Sequence, residues 1–335
     1  MKLIECVPNF SEGRDESIIR NIAAAVKDIS GCYLLHLERG ISTNRTVMTL
    51  AGEPESVLEA AFQGIVSAVE LIDMRKQKGI HPRLGAVDVC PLVPLSNVTL
   101  DECVTYSNRL SARVAEHLKL PVYLYAESAR SPLRYRLADI RFGQYESLPS
   151  KLADPFWQPD YGPAIFNPRS GAIVIGARRI LIAYNVNLAS RDKSLADKIA
   201  RNIREFGNVD GNDTDEYKRS RLAACQAIGW YVEEYNRVQV SMNLLDYQRT
   251  NLYDAFEAVK AEAHRYSCDT DGSEIVGLVP MEAMEQTGRF YDTAKKIQST
   301  EELIQITVNQ LGLSRLYPFE PNAKIIERVL KKKME

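Results

Sequence analysis

In the stretch Gly79-Ile80-His81-Pro82-Arg83-Leu84-Gly85-Ala86-Val87-Asp88-Val89-Cys90-Pro91, a long amphipathic helix pattern gives way to an apolar strand pattern. Pro82 restricts the preceding His81 to extended backbone angles, and Gly85 relieves the turn into the strand. An imidazole held at such a junction can accept or donate a proton near neutral pH, because its unperturbed pKa is about 6.5. The stretch therefore predicts a functional loop on a rigid scaffold.

Two interpretations of His81 are open from the residues alone. The ring either packs at the loop as a structural histidine or acts as a general acid and base. Arg83 can hold a carboxylate, whereas Asp88 can orient the ring or serve as an edge or capping residue. Simple alternation in the strand places Asp88 and Cys90 on one face, with Val87 and Val89 on the other.

The elements on either side of this stretch predict the fold. A strand, a helix, two strands, a helix and a strand follow one another up to Leu95, and the same β-α-β-β-α-β order recurs later in the chain. The second set comprises Ile180 to Asn187, Asp192 to Phe206, Arg221 to Glu233, Arg237 to Tyr247, Leu252 to Arg265 and Glu274 to Pro280. We therefore expect an α+β fold of two tandem ferredoxin-like (βαββαβ) subdomains, residues 1–178 and 179–330, with a ligand cleft between them.

Composition narrows the class of protein. The 335 residues carry 42 Lys and Arg against 44 Asp and Glu, a net charge of -2, which gives no electrostatic footprint for nucleic acid. The six cysteines lie far apart without a CxxC pair, as expected of reduced thiols. No apolar run approaches the ~18 residues of a membrane span. The sequence predicts a cytoplasmic protein that does not bind membranes or nucleic acid.

Other polar stretches lie at the predicted strand ends. Asn9 and Ser11 follow the first strand, and Arg45 begins another. These residues are candidates for substrate contacts, although turn formation and helix capping would use the same residue types. Glu38, after an apolar strand, is either a solvated carboxylate or a second proton-handling group near His81.

An irregular stretch between the two halves ends in a loop shaped by glycine and proline. Its residues are Gly162, Pro163, Ala164, Ile165, Phe166, Asn167, Pro168, Arg169, Ser170 and Gly171. Such a loop can follow a flat ring system closely, or it can simply link two domains. The fingerprints of nucleotide-binding loops, zincins, α/β-hydrolases and zinc modules are absent, so no metal site is predicted.

Several of these motifs, taken together and in order, resemble the glutamate formiminotransferase family, whose domain also forms the N-terminal half of formiminotransferase-cyclodeaminase. The matching residues are Glu5 to Gly13, Ser42 to Val47, His81 to Pro91, Gly176 to Arg179, Asn185 to Leu188 and Gln226 to Trp230. The resemblance covers nearly the whole chain. The helical cyclodeaminase domain is not represented, so that activity is expected on a separate protein.

The resemblance implies a reaction and a set of residues. The reaction moves the formimino group of N-formimino-L-glutamate to tetrahydrofolate, the co-substrate, in histidine degradation. The family's catalytic histidine falls on His81, and its folate-contacting segment falls on 162–171. Members associate as homodimers. We further expect Arg45, Arg83 and Arg178 to bind carboxylates of glutamate or of the folate tail.

The sequence leaves two other functions open. A formyltransferase acting between glutamate and the same folate site would need the same residues, because an imine NH and a carbonyl oxygen differ little. A non-catalytic protein that binds folate or an amino acid is the second alternative. One departure from the family is Glu38, where many relatives carry aspartate.

Overall fold

The computed structural model describes residues 1–41, 43–79, 81–205, 222–297 and 299–335. The chain divides into two compact units, unit 1 from Met1 to Arg179 and unit 2 from Ile180 to Lys333. Each unit carries its own sheet and helices, so the mixed α+β class and the tandem arrangement are confirmed. The predicted helix end at Phe206 and strand start at Arg221 lie outside the described residues.

Unit 1 is built on a seven-stranded sheet. Its strands are β1 Leu3–Cys6, β2 Asn9–Phe10, β3 Cys32–Gly40, β4 Arg45–Gly52, β5 Val87–Ser96, β6 Val122–Ala126 and β7 Ile173–Ala177. Both β1 and β2 pair with β4 and with β5, so these two short strands share one position in the sheet. The order is β3, β4, β1 with β2, β5, β7 and β6, antiparallel except where β7 pairs in parallel with β5 and β6.

The helices of unit 1 cover the two faces of the sheet unequally. They are α1 Glu16–Lys27, α2 Pro54–Leu71, α3 Leu100–Leu118, α4 Leu137–Arg141 and α5 Leu148–Ala153. The first three bury apolar stripes against one face, and each begins at a helix signal in the sequence, such as the Thr99 and Glu102 capping box of α3. The short helices α4 and α5 pack on the other face, over β5, β7 and β6.

A β-bulge at Asp88 changes which side chains share a face of β5. Phe10 lies opposite Val87 whereas Asn9 lies opposite Val89, so Asp88 is an extra residue in the ladder. Val87 and Cys90 consequently share the core on the helix side, and Val89 lies in the core under α4 and α5. The predicted alternation, with Asp88 and Cys90 on one face, is therefore wrong.

Unit 2 is an antiparallel four-stranded sheet with helices. The strands are β8 Ile182–Leu188, β9 Cys225–Val232, β10 Arg237–Leu244 and β11 Thr270–Val276, in the sheet order β11, β8, β10, β9. The helices are α6 Lys193–Ile203, α7 Leu252–Arg265, α8 Met281–Tyr291, α9 Thr300–Gln310, α10 Pro321–Lys324 and α11 Ile326–Met334. Lys331, Lys332 and Lys333, near the C-terminus, are exposed and belong to α11.

No helix in the described ranges is long and apolar enough to cross a membrane.

Candidate functional site

The centre of the candidate site is the carboxylate of Asp88, which is fully buried. The bulge turns this side chain away from α1, α2 and α3 and towards α4 on the other face of the sheet. Arg45 Nη1 donates to Asp88 Oδ2 at 2.7 Å, and Arg141 Nε donates to Oδ1 at 3.2 Å, while Arg141 Nη2 also contacts Oδ2. The backbone N–H of Leu84 donates to Oδ1 at 3.0 Å. Two guanidinium groups thus face one carboxylate, so the three side chains together carry one net positive charge.

Burial and charge set the ionisation of this cluster. Burial by itself raises the pKa of Asp88, but Arg141 and Arg45 outweigh it, and the net shift is downward. Burial lowers the pKa of Arg45 to about 10, against the opposing effect of Asp88. Arg45 therefore remains charged at neutral pH and Asp88 remains a carboxylate.

His81 joins the cluster through Arg45. Its Nδ1 lies 2.9 Å from Arg45 Nη1, and the half-buried ring sits at the entrance to β5. Burial, and then the positive charges of Arg45 and Arg141, lower the pKa of His81 to about 4. At neutral pH the ring is therefore neutral, more strongly so than the ordinary histidine value predicts.

Two contacts of the same ring nitrogen require opposite tautomers. Nδ1 lies 2.7 Å from the carbonyl oxygen of Pro82, which accepts only if Nδ1 carries a proton. The Arg45 contact is a hydrogen bond only if Nδ1 is unprotonated, because a guanidinium has donors and no acceptor. Only the tautomer bonded to Pro82 leaves a lone pair on Nε2.

Three other residues predicted from the sequence, Asn9, Ser11 and Glu38, differ in how they relate to this cluster. Asn9 belongs to it, since its Oδ1 accepts from Arg45 Nε at 2.9 Å. Ser11 is buried and donates to the backbone oxygen of Gly85 at 2.7 Å, so it supports the loop that carries His81. Glu38 pairs across the strands with Val47, which puts it on the same sheet face as Arg45.

Arg83 and Arg178 contact residues outside the cluster. Arg83 Nη2 donates to Glu146 Oε1 at 2.7 Å and to the backbone oxygen of Gln77 at 3.0 Å. Arg178 follows β7 and interacts with the Tyr125 phenol, which also feels the charge of Arg141. Burial raises the pKa of Tyr125, and these two arginines oppose that shift.

The segment 162–171 is irregular and is fixed at both ends. At its start, Gly162 has a φ of +81° and leaves no room for a Cβ, which would lie 2.1 Å from the Leu120 oxygen. At its end, Asn167 Oδ1 accepts from the N–H groups of Arg169 and Ser170 at 3.0 Å each. Between these ends, 69% of the surface of Ile165 is exposed.

The end of this segment lies against the loop that carries His81. Ala86 N donates to the Ser170 oxygen at 2.8 Å, and Gly85 and Gly171 form an antiparallel bridge. A Cβ on Gly85 would lie 2.2 Å from the Ala172 oxygen, and one on Gly171 would lie 2.4 Å from the Leu84 oxygen. Two stretches that are about eighty residues apart in sequence are thus in direct backbone contact.

Arg141 is the member of the site that sequence reasoning missed. It lies on the five-residue helix α4, inside a stretch interrupted by prolines, and no motif marks it. Its approach to Asp88 becomes visible only once α4 is seen to pack over β5. Among the described residues, no group of three or more His, Cys, Asp or Glu side chains could hold a metal ion.

An imidazole, a buried carboxylate and two guanidinium groups lie together beside an ordered loop, and groups of these kinds can exchange protons and bind anions. Two family models match the chain: the N-terminal subdomain of the formiminotransferase domain over residues 3–178 and the formiminotransferase domain over residues 183–331. The chain therefore belongs to the formiminotransferase family.

Several curated relatives match along most of this chain. It is 48% identical over 328 residues to a formimidoyltransferase-cyclodeaminase of Rattus norvegicus, which covers 97% of this chain and 59% of that protein. It is 42% identical over 290 residues to a glutamate formimidoyltransferase of Streptococcus pyogenes serotype M1, covering 87% and 93% of the two chains. A glutamate formimidoyltransferase of Thermoplasma acidophilum is 41% identical over 293 residues, covering 87% and 92%. The chain thus spans somewhat over half of the two-activity relative and nearly all of the single-activity ones.

Proposed function

We propose that this protein is a glutamate formimidoyltransferase. It transfers the formimino group of N-formimino-L-glutamate to tetrahydrofolate, giving 5-formimidoyl-tetrahydrofolate and L-glutamate in histidine degradation. Membership of the family supports the reaction. The observation that carries the proposal for this chain is the arrangement of His81, whose ring lies 2.9 Å from the arginine that neutralises Asp88.

The reaction requires one proton to leave and one to arrive. N5 of tetrahydrofolate forms a bond to the amidine carbon, and a tetrahedral intermediate results. The bond from that carbon to the glutamate nitrogen then breaks, and glutamate leaves as an amine. N5 must lose a proton and the departing nitrogen must gain one, so a single imidazole can serve both steps, contributing roughly 10²- to 10⁴-fold.

The low pKa of His81, about 4, assigns an order to these steps. The ring is neutral when the substrates bind at neutral pH, so it acts first as a base. Once protonated it is a stronger acid than an ordinary imidazolium, because burial, Arg45 and Arg141 all oppose its charge. It therefore gives its proton readily to the leaving amine. We place both transfers at Nε2, with Nδ1–H donating to the Pro82 oxygen.

The neighbouring residues have proposed roles in binding and orientation. Arg45, Arg83 and Arg178 supply the positive charge that the substrate carboxylates require. Glu38, on the sheet face of Arg45, is the second proton-handling group. Segment 162–171 binds the folate, for which exposed Ile165 and the Phe166 ring, 5.5 Å from Tyr145, offer apolar surface.

The proposal extends to the setting of the enzyme. We assign it to the cytoplasm, as a homodimer. The sheet order of unit 2 and its β-α-β-β-α-β element order support a ferredoxin-like description of that unit.

The test is a transfer assay at near-neutral pH. The protein is mixed with tetrahydrofolate and N-formimino-L-glutamate, and acid then converts 5-formimino-tetrahydrofolate to the absorbing methenyl form. N-formyl-L-glutamate runs in parallel. If the methenyl absorbance comes mainly from the formyl donor, the protein is a formyltransferase. If neither donor gives absorbance but the protein still binds folate, it is a binding protein.

A pair of variants tests the catalytic assignment. His81→Gln should lower kcat by about 10²-fold or more. His264→Gln makes the same chemical change on α7, where the side chain is 54% exposed, and should keep wild-type activity. A loss of only a few-fold in His81→Gln would remove His81 from the mechanism.

A further inference from the structure

A polar cluster in unit 2 lies on the sheet face that points away from the helices. Asn187 on β8, Gln239 on β10 and Glu274 on β11 form it, and we call these three residues the amide cluster. Asn187 and Gln239 are register partners. Their neighbours Val186 and Val240 pack in the core on the helix side, as strand alternation requires. The first two side chains are nevertheless buried, with 0% and 2% of their surface exposed.

The hydrogen bonds of the cluster fix which way each amide points. Glu274 Oε1 can only accept, so the group that approaches it at 2.7 Å must be the Gln239 amide nitrogen, Nε2. The same Nε2 donates to Asn187 Oδ1 at 2.8 Å. Flipping Asn187 would set two N–H groups against each other, and flipping Gln239 would set its oxygen against Glu274. The orientation of Asn187 is therefore determined by the network.

This orientation leaves the Asn187 amide nitrogen without a partner. Among the residues that the structure describes, Nδ2 of Asn187 has no hydrogen-bond acceptor. A buried, unpaired amide donor destabilises the folded protein, because it loses its hydrogen bonds to water without replacement. In the described part of the chain, no other buried polar atom of the amide cluster lacks a hydrogen-bond partner. A ligand that supplies a hydrogen-bond acceptor would satisfy this donor.

The carboxylate of Glu274 indicates what kind of acceptor fits. Oε1 accepts from Gln239 and from Asn185 Nδ2 at 3.0 Å, and Oε2 accepts from the Tyr235 hydroxyl at 3.3 Å. Oε2 thus retains capacity for one more donor. A ligand carboxylate would be repelled by the negative charge of Glu274. A neutral carbonyl oxygen beside an N–H group would instead form hydrogen bonds with both Asn187 Nδ2 and Glu274 Oε2.

We propose that the amide cluster is a binding site for a neutral –C(=O)–NH– group, whose oxygen accepts from Asn187 Nδ2 and whose N–H donates to Glu274 Oε2. The proposal rests on the proposed function, because tetrahydrofolate carries this group in two places. One is the lactam of its pterin ring, and the other is the amide that joins aminobenzoate to glutamate. The same chemistry at the site recognises either.

Calorimetric titration of the full chain tests the assignment. The probes are 5-formyltetrahydrofolate, tetrahydropterin for the lactam, p-aminobenzoyl-L-glutamate for the amide and glutarate as a carboxylate alone. Asn187→Asp replaces the donor by an acceptor of the same shape. This variant should bind 5-formyltetrahydrofolate with an affinity about 10-fold or more below that of the wild type, and one of the two fragments should lose affinity in the same way. The affinity for glutarate should not change.

Asn243→Asp is the matched control. Asn243 lies on β10, on the same sheet face but exposed, and the same amide-to-carboxylate change there should leave every affinity at the wild-type value. Equal affinities in wild type and Asn187→Asp would overturn the proposal. Equal weakening in both variants would also overturn it, since added negative charge would then explain the loss.

A measurement on the wild-type protein covers the case in which Asn187→Asp fails to fold. The side-chain amide resonances of Asn187, assigned by their loss in Asn187→Ser, should shift downfield as 5-formyltetrahydrofolate saturates the protein. Unchanged resonances at saturation would mean that only trapped water satisfies the amide. The transfer assay separates the two claims. If the enzyme is active but the Asn187 resonances do not shift, only this inference is overturned. If the resonances shift but no formimino group is transferred, only the proposed reaction is overturned.

Discussion

The Nη1 atom of Arg45 lies 2.9 Å from the Nδ1 atom of His81. A permanent positive charge therefore lies against the one titrating ring of the site. Burial already disfavours the imidazolium, and this contact together with Arg141 disfavours it further. The arginine that neutralises Asp88 is thus also a group that keeps His81 unprotonated.

We expect His81 to titrate near pH 4 in the folded protein. Replacing Arg45 with Met removes a positive charge and should move the pKa upward, towards the ordinary value of about 6.5. NMR titration of the histidine ring resonances measures both values. A wild-type His81 that titrates at or above 6.5 would contradict the electrostatic account.

The same shift predicts how His81 affects acid stability. Because its folded pKa, about 4, lies below the unfolded value of about 6.5, folding favours the neutral ring. Its contribution is complete above pH ~6.5 and is lost as pH falls towards 4. Urea unfolding at pH 7 and pH 4.5 should therefore show a smaller loss of stability in His81→Gln than in wild type. Equal losses would show that other groups dominate this pH range.

Removing Arg141 should destabilise the protein and raise the pKa of His81. Its side chain is 14% exposed and pairs with a fully buried carboxylate, so Arg141→Met should cost about 3 kcal/mol of unfolding free energy. Arg75→Met is the matched control, because that arginine is 59% exposed and its ion pair with Asp73 is screened by solvent, so its loss should change stability little. Denaturant unfolding of both variants at one pH gives the comparison, and equal costs would contradict a structural role for Arg141.

Two glycines with similar backbone angles should respond differently to alanine. Gly171 has a φ of +69°, and its Cβ would lie 2.4 Å from the Leu84 oxygen, whereas Gly277 has a φ of +78° and nothing within 4 Å. Gly277→Ala should cost about 1 kcal/mol from backbone strain alone. Gly171→Ala adds a clash with rigid backbone and should cost clearly more. Thermal unfolding of the two variants measures the difference, and similar melting temperatures would show that the backbone at Gly171 adapts.

The sequence predicted the elements of the fold well where their patterns are local. Helix α7 begins and ends where its periodicity and caps indicate, at Leu252 and Arg265, and most other elements shift by a few residues. Strand β11 begins at Thr270, four residues before the predicted start, because Gly272 and its neighbours lack a strand pattern. Propensity is a weak signal at such ends, where pairing with β8 decides the structure.

Part of the site could not be predicted, because it depends on contacts far apart in the chain. Asp88 was recognised as a possible partner of His81, yet the bulge that turns it towards α4 has no local signature. Arg141 reaches Asp88 from 53 residues away, on a helix too short to show periodicity. His81, by contrast, is a candidate from sequence alone because its neighbours Pro82 and Gly85 act locally on the backbone.

The backbone bridge between Gly85 and Gly171 has a consequence for motion. Amide hydrogens of Ala86 and Ala172 are bonded across this seam, to Ser170 and Leu84 respectively. Neither strand of the seam can open while the other stays closed, so both should exchange with solvent in one cooperative event. The loop that carries His81 and the loop proposed to hold folate therefore form a single unit of local unfolding, and a substitution that loosens one loosens the other.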